Sequence, residues 1–328
     1  MRVLILILWC WSGCLLAADI VVRVPAAEAR DLQAATADLA RYLGQIYGRE
    51  AVVVTGVKAL DPAPAMTISL ALDPALKNGL NDEVFSIHST ATTATLTGAT
   101  TLALQHACYT LLERLGCRWY FPTAVWEVIP SLPELALPTL DFTDQPAYML
   151  RSIWYGWGIG PIPENVANYR DWVRRNRMGG SLTGHAGHAY AGFVKPETAF
   201  TEHPEWFALV GGKRVSTGQI CVSNPDVRRL AIQRALELFG HGVARMISMS
   251  PNDGAGWCEC ANCARLGTVT DQCLWLANEV ADAIREPFPG RLVSMYAYAG
   301  TSPPPNIRAA PNVIIFIATA FNSVGFDK

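Results

Sequence analysis

Between Ile20 and Ile129 the chain alternates between two hydrophobic periods, and this alternation narrows its possible folds more than any other feature. Runs rich in β-branched residues at Ile20–Val24, Ala51–Thr55, Met66–Leu72, Val84–Thr90 and Ala94–Thr97 predict strands. Ala27–Tyr47 instead repeats Leu32, Leu39, Leu43 and Ile46 at helical spacing and stops at Gly48. Thr100–Leu115 predicts a second helix, closed by Gly116 with Arg114 in its last turn. Cys117–Phe121 and Trp126–Ile129 complete the set as strands. These elements describe a small α/β sandwich over residues 19–130.

Residues 131–146 follow Pro130 with Pro133, Pro138 and Pro146 and little periodicity, which predicts a linker. From residue 147 the pattern changes. Strands are expected at Tyr148–Trp154, Ala244–Ser250, Leu292–Tyr298 and Val313–Ala318. Helices are expected at Val166–Asn176, Asp226–Phe239 and Thr270–Arg285, with a loop-rich stretch from Gly179 to Gly218. Strands alternating with helices predict βα units around a parallel sheet. A closed (β/α)8 barrel takes about 250 residues. Residues 147–328 are therefore expected to form a (β/α)8-type barrel that is truncated.

The 328 residues are 51% hydrophobic and 16% charged, which excludes disorder and supplies large cores. A net charge of −2 and no basic stripe exclude nucleic acid as a partner. No GxGxxG, P-loop or GxSxG motif is present, and no cofactor is expected. The N-terminus, MRVLILILWCWSGCLLAADI, has Arg2, an apolar run from Val3 to Trp11, and small residues at Ala17 and Ala18. That is the pattern of a signal peptide over residues 1–18, too short to span a membrane. Ser12-Gly13-Cys14 also resembles a lipobox, with Trp11 at the usual leucine position. The protein is expected to be exported, to the periplasm, the outside of the cell or a lipid anchor, with no transmembrane segment. The oligomeric state is not legible.

In a barrel, ligands meet the C-terminal ends of the strands. The residues expected there include Arg151, Trp154, His185, His188, Asn252, Asp253 and Tyr298, polar and aromatic together. Amides, carboxylates and flat rings suit sugar hydroxyls and sugar faces; turns are also rich in such residues for their own reasons. Asp253, in S-P-N-D-G, is either an Asx-turn residue or a carboxylate for acid/base work, and Glu259 is the second candidate. Glu202, Glu205 and Asp271 are near in sequence, but spacing nominates none of them. His185 and His188 in GHAGH could pair on a metal, but no H-E-x-x-H helix accompanies them, and loop histidines that bond ligand or backbone are the simpler reading.

Nine cysteines are present, and seven remain after Cys10 and Cys14 in the leader. Cys258, Cys260 and Cys263 form a C-x-C-x-x-C cluster, with Cys221 or Cys273 available as a fourth member. Export favours disulfides that pin the Asp253 loop. Zinc is the alternative, without the second C-x-x-C that such sites usually carry, and free buried thiols are a third state. The expectation is a structural cluster of Cys221, Cys258, Cys260 and Cys263 without metal.

Several stretches together resemble known families. GATTLALQHACYTLLERLGCRWYFP is similar to the small domain that precedes the barrel in β-hexosaminidases and α-glucuronidases. HPEWFALVGGKR, QICVSNPDV, SMSPNDGAGWCECANC, LWLANEVA and YAYAGTSPPP resemble the domain of unknown function 4838, which overlaps glycoside hydrolase family 163. The likeness runs from about residue 20 to residue 328. It implies a hexosaminidase-like α/β domain before a barrel, and a glycan or glycoprotein substrate with β-linked N-acetylhexosamine, N-glycans among them. It implies that Asn252 and Asp253 face the cleft and that Arg151 holds sugar hydroxyls. A non-catalytic glycan-binding module, or an inactive truncated remnant, is the competing expectation.

Overall fold

The computed structural model describes residues 18–56, 60–79, 81–151, 153, 162–180, 182, 184, 187–242 and 244–318. Residues 1–17 of the expected signal segment, Trp154 and His185 lie outside the described residues. The protein is mixed α/β and divides into two compact units, Met1–Ser181 and Leu182–Lys328.

In the first unit β1 (Ile20–Val24), α1 (Gln33–Tyr47), β2 (Ala51–Thr55), β3 (Met66–Leu72), β4 (Phe85–Ser89), β5 (Thr93–Gly98) and α2 (Thr101–Arg114) follow the expected order closely. The short strands β6 (Arg118–Trp119) and β7 (Glu127–Val128) form their own antiparallel pair. The main sheet has the order β2-β1-β3-β5-β4-β8. Its first four members are parallel, and β4 runs antiparallel to both of its neighbours. Alternation sets the buried face: Met66, Ile68 and Leu70 of β3 point into a core shared with Leu39, Leu43 and Ile46 of α1 and with Leu104, Leu111 and Leu112 of α2. Thr100 caps α2, its hydroxyl accepting from Ala103 N–H at 3.2 Å.

The stretch 131–146 is not a linker. It buries Leu137 and contributes β8 (Leu140–Asp144), paired residue for residue with β4. As an edge strand it pairs on one side only, and its prolines flank the ladder, so its periodic signal is weak. The helix expected near residues 166–176 forms as α3 (Pro163–Arg175) and packs Trp172 on the first core. The expected strand at Tyr148–Trp154 leaves one described bridge, between Arg151 and Gly179.

The second unit contains α4 (Pro196–Ala199), the hairpin β9 (Leu209–Val210) and β10 (Lys213–Arg214), α5 (Pro225–Gly240), β11 (Met246–Ser248), α6 (Ala261–Arg265), α7 (Val269–Arg285), β12 (Leu292–Ala297) and β13 (Val313–Ile317). Strands β11, β12 and β13 lie side by side, parallel and in chain order. Parallel bridges Gly184–Met246 and His188–Ser250 add one more stave beside β11. Only glycine fits that approach: Gly184 has φ +147°, and a Cβ there would lie 1.9 Å from the Met246 carbonyl oxygen. No closed barrel forms among the described residues.

Helices α5 and α7 cover the sheet. Val227, Ala231, Ala235 and Phe239 join Leu274, Ala277, Val280 and Ile284 against Ile247, Met249, Val293 and Met295. Pro225 starts α5 behind the Asn224 cap, which accepts from Asp226 N–H at 2.8 Å. A capping box between Thr268 and Asp271 starts α7. The same Asp271 carboxylate is buried and accepts from Asn306 N–H at 2.5 Å, Asn306 Nδ2 at 2.8 Å and Ile307 N–H at 3.3 Å, fixing the loop after β12.

Candidate functional site

In the second unit, the C-terminal ends of β11 and β12 bring His188, Asn252, Asp253, Tyr296 and Tyr298 together. Buried Ser250 anchors the junction. Its hydroxyl accepts from Tyr296 N–H at 3.1 Å, and its carbonyl accepts from Ala189 N–H at 3.0 Å. Asn252 forms the floor of the loop. Its side-chain oxygen accepts from Ala191 N–H at 3.0 Å, and its amide nitrogen donates to the Gly218 carbonyl at 2.8 Å. Its backbone is held at both ends by the Gln219 carboxamide, at 3.0 and 2.8 Å. Asn252 thus fixes where Asp253 begins, with both ends of its own amide engaged in the scaffold. Trp257 braces the far end of the loop: a Cβ on Gly300 would come within 2.8 Å of its ring.

Asp253 is exposed over 69% of its side chain. Its Oδ1 accepts from the Tyr298 hydroxyl at 3.3 Å and lies 3.9 Å from His188 Nε2. Desolvation, then the charge and hydrogen bond of Asp253, hold the Tyr298 phenol above its ordinary range, so it stays a donor. His188 Nδ1 lies 2.6 Å from the Pro251 carbonyl oxygen. A carbonyl only accepts, so Nδ1 carries a proton; Nε2 faces Asp253 and pairs with that carboxylate only when it is protonated as well. The ring of His188 stands edge-on to Tyr296 and Tyr298, each 6.0 Å away. The arrangement offers an exposed carboxylate, a phenol donor, an imidazole with one open nitrogen and two aromatic faces.

The other expected site residues are placed as follows. Glu259 caps the β9–β10 turn: its Oε2 accepts from Gly211 N–H at 2.7 Å, and its N–H donates to the Leu209 carbonyl at 2.8 Å. Arg151 belongs to the first unit. There its guanidinium reaches Glu83 Oε2 at 2.5 Å, the Arg177 carbonyl at 2.9 Å and the Tyr148 carbonyl at 2.5 Å. The sequence reading missed Gln219 as the clamp on the Asn252 backbone. The only signal for it is a polar residue opening the strand-like run Gln219–Val222. Tyr296 stands two positions before Tyr298, which puts both on one face of a strand.

A second cluster lies beneath this loop. The sulfurs of Cys221, Cys258, Cys260 and Cys263 all lie within 4.8 Å of one another, with Cys221 3.7 Å from Cys260 and 3.8 Å from Cys263. Backbone N–H groups of Leu209 and Cys263 donate to Cys258 and Cys260 sulfur, each at 3.4 Å. Arg214 Nη1 stands 3.8 Å from Cys258 sulfur, and Ser223 Oγ lies 3.1 Å from Cys263 sulfur.

The fold and this geometry define a class: a mixed α/β protein whose parallel strands end in an open carboxylate, phenol and imidazole cluster. Within it, the chain belongs to the family described as domain of unknown function (DUF4838), which matches residues 121–325. No curated protein matches the sequence. Among solved structures, the chain is similar to a β-N-acetylhexosaminidase from Bacteroides fragilis, with TM-score 0.46 and 14% identity over 92% of this chain and 66% of that one. It is also similar to the GH20 β-N-acetylhexosaminidase from Streptomyces coelicolor A3(2), with TM-score 0.45 and 14% identity over 91% and 65%. A GH138 enzyme targeting pectin rhamnogalacturonan II gives TM-score 0.49 and 14% identity over 90% and 38%. The chain thus spans less than two thirds of the length of each. Among the described residues, no helix is long and apolar enough to cross a membrane.

Proposed function

We propose that this protein is an exported glycoside hydrolase acting on β-linked N-acetylhexosamine-containing glycans, N-glycans among them. One observation carries the reading: Asp253 is an exposed carboxylate at the C-terminal end of a parallel strand, hydrogen-bonded by Tyr298 and faced by the open nitrogen of His188. Hydrolysis through an oxocarbenium-like centre needs a negative group beside the anomeric carbon or beside a participating acetamido group. Asp253 fits that role, orienting the acetamido N–H and stabilising the positive charge that develops as the ring oxygen and acetamido carbonyl share it. Tyr298 holds the carboxylate in place, and the rings of Tyr296 and Tyr298 offer faces to the sugar.

A specific observation favours a second reading, a glycan-binding module without turnover. The described cluster holds one carboxylate, whereas glycoside hydrolysis commonly uses two carboxyl groups. One experiment separates the two: the purified chain is assayed on para-nitrophenyl N-acetyl-β-glucosaminide and on an N-glycoprotein, and titrated with the same glycan by calorimetry. The hydrolase reading expects turnover that falls about 10²–10⁴-fold in Asp253→Asn. Saccharide binding without turnover would establish the module, and wild-type turnover in Asp253→Asn would remove Asp253 from the chemistry. Export is tested separately, by whether the mature N-terminus found by mass spectrometry starts near Ala18 or Asp19.

A further inference from the structure

We infer that Cys221, Cys258, Cys260 and Cys263 are the four ligands of one structural zinc ion. The inference is independent of the glycosidase reading and rests on how the four thiols converge. Zinc bound by thiolates takes four sulfurs at about 2.3 Å in a tetrahedron, which places neighbouring sulfurs about 3.8 Å apart. The separations of Cys221 from Cys260 and Cys263, 3.7 and 3.8 Å, match that edge, and all four sulfurs lie within 4.8 Å of one another. Disulfides join sulfurs in pairs at about 2.05 Å and have no reason to bring four to a common point.

What surrounds the sulfurs points the same way. Leu209 N–H and Cys263 N–H donate to sulfur, the arrangement that stabilises thiolates and orients them toward a cation. Arg214 adds a positive group beside Cys258, which offsets the excess negative charge of four thiolates on a divalent ion. Three of the cysteines are buried and Cys260 is half-exposed. A cleft lined by Arg214, Ser223, Asn224 and Cys260 opens beside them and gives an ion a way in.

All four positions are filled by protein, so the site is closed and its work is structural. It ties together the β9–β10 hairpin, the start of α5, the start of α6 and the loop that carries Asp253 five residues before Cys258. Binding forms four metal–sulfur bonds, and each thiol releases its proton to solvent as its bond forms.

The test begins with the full chain purified without chelator or reductant. Elemental analysis should find one zinc per chain, and the denatured protein should release it together with free thiols. Zinc-free protein whose mass is short by two hydrogens per bond, showing disulfides among these cysteines, would overturn the inference. Iron in place of zinc would also overturn it, leaving the ligand set but not the ion. Reconstitution with cobalt(II) should give the intense visible and sulfur-to-metal bands of a tetrahedral thiolate; a weak octahedral spectrum would count against it. Cys260→Ser should lose the metal. If that variant fails to fold, Cys260→His should keep a four-ligand site with a shifted cobalt spectrum. Cys108→Ala, in the other unit, should retain one zinc.

Discussion

Asp38 and Asp253 each accept a hydrogen bond from a tyrosine: Asp38 from Tyr109 in the first unit, at 2.9 Å, and Asp253 from Tyr298 in the second, at 3.3 Å. Asp38 is enclosed. Arg174 and Arg175 reach its Oδ2 at 3.1 Å, Arg175 also reaches Oδ1 at 3.3 Å, and Arg41 pairs with Oδ1 at 3.3 Å. Arg175 further binds Glu127 at 2.6 Å. Burial alone would raise the Asp38 carboxyl, but the Arg175 hydrogen bond and the charges of Arg175, Arg174 and Arg41 hold it below the ordinary range. Asp253 accepts from a phenol and from its own loop N–H, lies 3.9 Å from His188 Nε2, and is otherwise exposed. A carboxylate surrounded by fixed donors ties down the fold; one left open to solvent is available to a ligand.

Removing each carboxylate should separate these roles most sharply. Asp38→Ala removes the one carboxylate that Arg41, Arg174 and Arg175 share and should cost about 3–5 kcal/mol in denaturant unfolding, as broken buried pairs do. Asp253→Ala should change stability by no more than about 0.5 kcal/mol while abolishing turnover or glycan binding. Comparable stability losses in the two variants would erase the distinction.

Acid should act on the first unit next. His106 is buried, and desolvation, then the Arg151 and Arg177 charges, lower its pKa to about 3. Its Nδ1 lies 3.5 Å from Glu83 Oε2, an ion pair only if the ring were charged. Arg151 already holds that oxygen at 2.5 Å, so the ring is neutral in the fold. The unfolded chain takes up this proton below about pH 6.5. Stability should therefore fall as the pH drops from about 6.5 toward 3, with a slope of up to about 1.4 kcal/mol per pH unit. Asp38, whose folded pKa is depressed, adds its own loss only below the ordinary aspartate range, near pH 4. Unfolding curves of His106→Gln should flatten between about pH 6 and 4.5; an unchanged slope would refute the assignment.

The tyrosines give a smaller contrast. Tyr109→Phe removes both a donor to Asp38 and the acceptor of Arg174 Nε and should cost about 1–3 kcal/mol. Tyr298→Phe should leave stability nearly unchanged and lower activity by loosening Asp253. Smallest of all, Glu259→Gln keeps an oxygen for Gly211 N–H and should stay within about 0.5 kcal/mol of the parent with full activity. A large activity loss there would return Glu259 to the chemistry.

The first unit was legible where burial is one-sided, because alternation and helical spacing record which face is covered. β8 was not legible, since an edge strand flanked by prolines carries little pattern. Nor was the destination of α3: its ties run from Arg174 and Arg175 to Asp38, 136 and 137 positions away, and ion pairs leave no period in a sequence. At the site, N-D-G after an apolar run announced a strand end. The sequence already offered Cys221 as a partner for the cysteines 37 to 42 positions later; that all four sulfurs lie within 4.8 Å of one another comes only from the fold.

Asp271 serves the first turn of α7 and the loop after β12 with one carboxylate. Two segments 35 positions apart are therefore fastened by the same knot. Unwinding the helix start releases Asn306 and Ile307, and peeling away that loop leaves the helix start unbraced. Amide hydrogens at Asp271 and at Asn306 should then exchange with deuterium through one shared opening, at matched rates, as a single cooperative patch within the second unit.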